Sequence, residues 1–357
     1  MNKKEIMFWG AEPPPIGGMS VHIKRLSDFL LLNEWKEYQY NFNRNLSRKE
    51  KHINNVQNLW LWYLKLWFCK SPKVHYVITT SAFVRFLAAL LTLRGKKILI
   101  RVGGRSLEKD LENGGIKKLL NILSLKLSTS FIGVSEEICN LALRYTGKSK
   151  INHITGFIPP IGNGYLPFEI NDFFDSNNLK IVVTGQIVNE NKEDIYGLHH
   201  VLDSLVIAKE KGLNFKCCIV SYTISGDNSI AISNFRKKIT LLDLNSHVLL
   251  YQSNNELWPI LKVCDLFIRS SITDGDANSI REALFFDKIV IASDCVIRPD
   301  KCILYKTLDS YDLVSKIESL QDYKVTNIDK NSSYSIKLQN HYLILQLLNK
   351  LVDIKQR

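Results

Sequence analysis

The stretch "LFIRSSITDGDANSIREALFFDKIVIASD", residues 266–294, holds two short apolar runs around a polar loop and a helical segment. "LFIRSS" and "KIVIASD" are too short for helices and read as buried strands. "SIREALFFD" has helical spacing and follows a loop of small and acidic residues. Strand, helix and strand in this order form a βαβ unit, whose two strands pair in parallel. Asp274, Asp276 and Glu282 fall within nine positions between two core strands. Acids there need a reason.

Outward from this stretch the alternation repeats in both directions. In the first half, "EIMFWGA" reads as a strand, "PPPIGGMS" as a turn and "VHIKRLSDFLLL" as a helix. "KVHYVITT" is a strand. "SAFVRFLAALLTLRGKK" is a helix with Ser81 as N-cap and Gly95 as its stop. "KILIRVGG", "STSFIGVS" and the helix "EEICNLALRYTG" follow. Residues 155–178 are dense in Pro, Gly and Asn and read as the crossing between domains, because Pro159 and Pro160 cannot sit in a central strand. The alternation then restarts with "LKIVVTGQ", "YGLHHVLDSLVIAKEKG", "FKCCIVSY", "ISNFRKKITLLDL", "HVLLYQ" and "NELWPILKVC". The fold class expected is α/β, with two Rossmann-like parallel-sheet domains facing a cleft. The expected division is 1–165, 166–333, and an amphipathic helix in 334–357 that packs back towards the N-terminal domain.

At 357 residues with 45% hydrophobic and 23% charged residues, the composition is that of a water-soluble globular protein. The seven cysteines show no C-x-x-C, which suits a reducing cytoplasm, and adjacent Cys217 and Cys218 read as small buried hydrophobes. The N-terminal apolar run is too short for a signal peptide, and no apolar stretch reaches membrane-spanning length. Residues 1–165 carry 25 Lys+Arg against 11 Asp+Glu, a balance of +14, whereas residues 166–357 carry 22 against 24, a balance of −2. The first half therefore either faces something anionic or keeps a solvated basic face.

Ligands of such folds sit at the carboxyl ends of strands, where loops enter helices. The loop after "LFIRSS" meets that description. Backbone N–H groups at the start of "SIREAL" offer a site for phosphate. Gly275, Ala277 and Ser279 are small enough for close approach, and Glu282 lies one turn in, within reach of ribose hydroxyls. The plainer alternative is that Asp274, Asp276 and Asn278 only cap the helix.

Asp274 and Glu282 are separated by seven residues, which resembles the acidic-x7-acidic signature of family 4 glycosyltransferases, retaining enzymes of the GT-B fold. The usual first acid there is Glu. "PPPIGGMSVHI" resembles that family's Gly-Gly loop, "FIGVSEEI" and "INHITGFIPP" its segments before the second domain, and "GQIVNENKEDIYGLHHVLDSL" the opening of its donor domain. The version here is similar to bacterial branches that build surface polysaccharides. The resemblance implies a nucleotide-diphospho-sugar donor, no metal and no further cofactor. It implies Asp274 as the catalytic contact to the transferred sugar and Glu282 as the ribose ligand. Gly17, Gly18, Gly185, Gly275, Asp276, Ala277, Asn278 and Ser279 would meet the rest of the donor.

Three departures stand out. Where the family has an Arg and a Lys for the phosphates, this chain has Gln186 and Asn191, so Lys192, Arg269 and Arg281 become candidates to replace them. Val102 stands where many members carry a His. The acceptor implied is a glycan or a polyprenyl-diphosphate-linked sugar. A catalytically silent GT-B partner subunit is the main alternative. Nucleic acid is not an expected partner, because no helix-turn-helix, zinc or RNP-like motif occurs, and no G-x-G-x-x-G follows the first strand as a dehydrogenase would require.

"NLWLWYLKLWFCK", residues 58–70, sets aromatics beside lysines. Such a segment suits an interfacial helix on an anionic leaflet. The expectation is a cytoplasmic protein, peripheral on the inner face of the cytoplasmic membrane, with Trp62 as anchor. The competing expectation is an ordinary core helix, with Trp60, Tyr63, Trp67 and Phe68 as its buried face.

Overall fold

The computed structural model describes residues 4–11, 13, 17–41, 53–55, 58–68, 71–174, 177–188, 193–222, 229–253, 255–320 and 340–353. The chain divides into two compact units, Met1–Ile161 with Gln339–Arg357, and Gly162–Leu338. The sequence reading put the first boundary at 165, a few residues later.

The first unit is built on strands β1 (Glu5–Gly10), β2 (Lys36–Asn41), β3 (Ile53–Asn55), β4 (Val74–Ile78), β5 (Lys97–Val102), β6 (Ser130–Gly133) and β7 (Ile151–His153). They form one seven-stranded sheet in the order β3-β2-β1-β4-β5-β6-β7, with every pairing parallel. All five residues of β4, "VHYVI", are buried, as expected of a parallel strand covered on both faces. On one face Ile6, Phe8, Tyr76 and Leu99 pack against helices Gly18–Leu32 and Asn340–Asp353. On the other, Met7, Trp9, Val77 and Ile100 pack against helices Leu59–Phe68, Ala82–Leu90 and Gly115–Leu127. Ser81 caps its helix by accepting from the Val84 N–H at 3.4 Å, and Gly95 ends the following 3₁₀ turn at φ 72°.

Residues 334–339 of the expected tail helix lie outside the described residues. Within helix Asn340–Asp353, Ile344, Leu348 and Leu351 are buried in the first unit. Asn340 Nδ2 donates to Thr155 Oγ1 at 2.7 Å and to the Phe157 carbonyl at 2.9 Å.

The second unit contains β8 (Leu179–Gly185), β9 (Phe215–Tyr222), β10 (Val248–Ser253), β11 (Leu266–Arg269), β12 (Ile289–Ser293) and β13 (Ile303–Tyr305). The sheet order β10-β9-β8-β11-β12-β13, again all parallel, is that of the dinucleotide-binding Rossmann fold. Helices Leu198–Glu210, Ser229–Leu241 and Ser310–Glu318 cover one face; Phe168–Phe173, Trp258–Val263 and Asn278–Phe285 cover the other. Helix Phe168–Phe173 lies inside the stretch read as a crossing. Its Ile170, with Phe174 just after it, is buried against Val182 and Phe267, so the second half of that stretch belongs to this core. Cys217 and Cys218 are both fully buried.

The segment "LWLWYLKLWF" is a helix, but its faces differ from both expectations. Trp62 is only 7% exposed and meets the Trp9 ring edge-on at 4.5 Å. Trp62 is therefore a core residue and cannot be a membrane anchor. Tyr63 and Leu66 are buried beside it, while Trp60, Leu61, Leu64 and Phe68 are exposed. The buried set 62, 63 and 66 has helical spacing, and so has the exposed set 60, 61, 64 and 68. A helix apolar all round leaves its periodicity unable to say which side faces in.

Candidate functional site

Strands β8 and β11 are neighbours at the centre of the second sheet, and the chain leaves them in opposite directions. This is the switch point at which α/β sheets receive ligands, beyond the carboxyl ends of the strands. β8 ends at Gly185 and β11 at Arg269. The loops that follow are tied together. Ser270 Oγ donates to the Tyr196 carbonyl at 2.7 Å, and the Ile272 N–H donates to the Ile195 carbonyl at 3.0 Å.

Two glycines make this closeness possible. A Cβ on Gly197 would stand 2.2 Å from the Ser270 carbonyl oxygen, and its φ is +65°. A Cβ on Gly185 would stand 2.7 Å from the Tyr196 Cβ. Only glycine meets both demands at 197.

Asp274 sits at the head of the β11 loop and accepts from five donors. Arg269 Nε donates to Oδ2 at 2.9 Å and Arg269 Nη2 to Oδ1 at 3.1 Å. Arg298 Nη1 and Ser271 Oγ donate to Oδ2 at 3.0 and 2.9 Å, and the Gly275 N–H to Oδ1 at 3.0 Å. Burial pushes the Asp274 carboxyl up, but the charges and hydrogen bonds of Arg269 and Arg298 outweigh it and hold the group below the usual carboxylate range. The carboxylate is thus engaged inward, and a sugar hydroxyl would have to displace one of these donors to reach it.

Arg298 was not singled out from sequence, since "VIRPD" reads as an ordinary turn after β12. It is 8% exposed, and all three nitrogens are committed. Besides Asp274, it donates from Nε to the Ser293 carbonyl at 3.0 Å and from Nη2 to Ser271 Oγ at 3.1 Å. The Arg269 guanidinium lies 5.1 Å from the Tyr196 ring centroid, a cation–π contact. Tyr196, also unforeseen, thereby links the end of β8 to the end of β11.

Asp276 pairs with Arg281, with Nε and Oδ1 2.5 Å apart. Ala277, whose side chain has no acceptor, is the N-cap of helix Asn278–Phe285. At the N-cap position itself stands Ala277, while Asp274 and Asp276 pair with arginines, so the acids do more than cap. Gly275 is exposed, Asn278 and Ser279 are half-buried, and Glu282 is buried. Asp274 pairs with Arg269 and Arg298, and Asp276 with Arg281; with buried Glu282 the formal balance of these six residues is zero (3 − 3).

Gly185, Arg269, Gly275, Asp276, Ala277, Asn278, Ser279 and Glu282 therefore share one end of the second sheet. Lys192 and Asn191 lie outside the described residues. Gly17 and Gly18 belong to the first unit, exposed at the start of helix Gly18–Leu32, where the Gly17 N–H donates to Ser20 Oγ at 3.1 Å. Among the described residues no three His, Cys, Asp or Glu side chains stand together as metal ligands. His22 is buried between the Gly156 carbonyl and the Tyr76 hydroxyl, both at 2.8 Å; burial, then Arg101, keeps it neutral well below its usual range.

No protein-family profile and no curated protein matches the chain. Solved structures do. A glycosyltransferase from Rickettsia africae superposes with a TM-score of 0.70 at 15% identity, covering 99% of this chain and 100% of that one. HepE from Anabaena in complex with UDP and glucose gives 0.72 at 13% identity, with the same coverage. Sucrose-phosphate synthase from Thermosynechococcus elongatus gives 0.69 at 12% identity, covering 99% and 100%. The chain has the GT-B fold of these glycosyltransferases.

Proposed function

We propose that this chain is a retaining glycosyltransferase that moves a sugar from a nucleotide-diphospho-sugar to a glycan or polyprenyl-diphosphate-linked acceptor in bacterial surface polysaccharide synthesis. One observation carries the reading: the switch point of the second unit sets an arginine at the end of β11 beside the start of helix Asn278–Phe285, whose N-cap is Ala277. Both favour the diphosphate on which charge develops as the sugar leaves. HepE, of the same fold, is described in complex with UDP-glucose, which supports such a donor. On this reading Glu282 holds the ribose, and Gly185 and residues 275–279 meet the remainder of the donor. The bond from the anomeric carbon to the β-phosphate oxygen breaks, the acceptor oxygen bonds to that carbon from the same face, and the acceptor's proton passes to the departing phosphate oxygen.

Incubation of the full chain with a panel of nucleotide sugars tests this. Release of nucleoside diphosphate that depends on an added acceptor extract is expected. Tight donor binding without release would favour a silent partner subunit, and no binding across the panel would remove the glycosyltransferase reading.

The membrane reading rests on the exposed stripe Trp60, Leu61, Leu64 and Phe68. Trp60 meets Phe83 of the neighbouring helix at 5.7 Å, and Lys65 lies exposed among them. No helix among the described residues is long and apolar enough to cross a membrane. An exposed apolar face with a lysine on it suits an anionic bilayer surface. The chain is expected to sediment with anionic vesicles at low salt and to release at high salt. Binding indifferent to lipid charge and salt would refute the electrostatic part.

A further inference from the structure

We infer that Asp274 and Arg298 are positioning residues for Arg269, and that the outer edge of the Arg269 guanidinium receives the donor's diphosphate. This rests on the nucleotide-sugar reading above and departs from the role the resemblance gives the first acid. A guanidinium is planar. Its five N–H groups form two forks. Asp274 takes the fork made by Nε and Nη2 at 2.9 and 3.1 Å. That fixes the plane and leaves the fork of Nη1 and the second Nη2 hydrogen, a match for two phosphate oxygens. Among the described residues no hydrogen bond from Arg269 Nη1 is seen. The Tyr196 ring at 5.1 Å supports one flat side of the group, so it cannot swing away from its carboxylate.

Arg298 completes the arrangement without touching a ligand. All three of its nitrogens are spent on Asp274, Ser271, Ser293 and Cys295. It contributes charge and rigidity. One carboxylate between two guanidiniums leaves the trio at +1, so Asp274 aims Arg269 without neutralising the pair. Arg269 closes β11 at the switch point, beside the end of β8 at Gly185.

Titration calorimetry on the full chain with UDP, ADP and GDP, and with the matching nucleosides, tests the assignment. A nucleoside diphosphate that binds wild type is expected to lose roughly 10- to 100-fold in affinity in Arg269→Gln, with nucleoside affinity unchanged. Asp274→Asn and Arg298→Lys, checked for native melting, are expected to lose less. Those losses should vanish in the Arg269→Gln background, because a residue acting through Arg269 has nothing left to position. A merely structural role would lower nucleoside affinity too and would add to Arg269→Gln. Diphosphate affinity undisturbed by Arg269→Gln, or additive losses, overturns the inference alone. Failure of wild type to bind any of the three diphosphates overturns the nucleotide-sugar reading and the inference with it.

Discussion

Asp274 illustrates how far one residue's type can be legible while its use is not. Its place after a strand and before a helix, with Glu282 beyond it, marked the loop from sequence alone. What it touches depended on Arg298, which arrives from another loop 24 residues on and left no local signal. The ion pairing carries a pH signature. Burial raises the Asp274 carboxyl, the two arginines lower it further, and the net folded-state value is depressed. The stabilisation is therefore present above the unfolded value of about 3.9 and is lost as pH falls through the lower folded value. The melting temperature of Asp274→Asn is expected to lie below wild type near pH 7, with the gap narrowing below about pH 4. A constant gap would contradict the pairing. Histidines give the first unit an earlier acid limit. Burial holds His75 at about 3, with its Nδ1 accepting from Trp9 Nε1 at 3.0 Å. The unfolded chain takes up that proton below about pH 6.5 and the folded one does not, so stability falls from there downward. Tryptophan emission, which reports mainly on the first unit, is expected to show unfolding at lower urea at pH 5 than at pH 7.

At the scale of elements, apolar runs and their caps were readable and polar edges were not. β1, β4, β5, β8, β9 and β12 are apolar runs in the sequence and buried strands in the structure. "KEYQYN", which forms β2, opens with two charges, alternates tyrosine with amide and holds no aliphatic residue, yet it pairs along the whole of β1. The helix at 59–68 failed differently, since apolar residues on every side hide the buried face until the sheet supplies it. Trp62→Ala is expected to cost about 3–5 kcal/mol on urea unfolding, while Trp60→Ser stays within about 0.5 kcal/mol and weakens vesicle binding. The reverse order would invalidate the assigned faces. Gly197 joins two loops that no local pattern connects. Gly197→Ala is expected to cost at least about 1–3 kcal/mol, from positive φ and the clash with Ser270, and to lower nucleotide affinity with it. Unchanged stability would show that the loops are not held as described.

For the whole molecule, strand–helix alternation and the proline-rich interval made two Rossmann-like units legible. The second unit begins at Gly162, and Gly164 lies close against Trp258 and Pro259 of that unit, a contact that composition cannot report. The uneven charge, +14 against −2, needed only counting. Its use depends on which apolar residues surround it on the surface, and that required the fold. On the proposed function, a nucleotide-diphospho-sugar sits at the ends of β8 and β11. Hydrogen–deuterium exchange of the full chain with and without a nucleoside diphosphate that it binds tests that claim most directly. Slowed exchange is expected at the amides of residues 185–187 and 275–279, with a smaller effect at 195–197. Protection absent from these segments, while the ligand is bound elsewhere in the chain, would contradict the account.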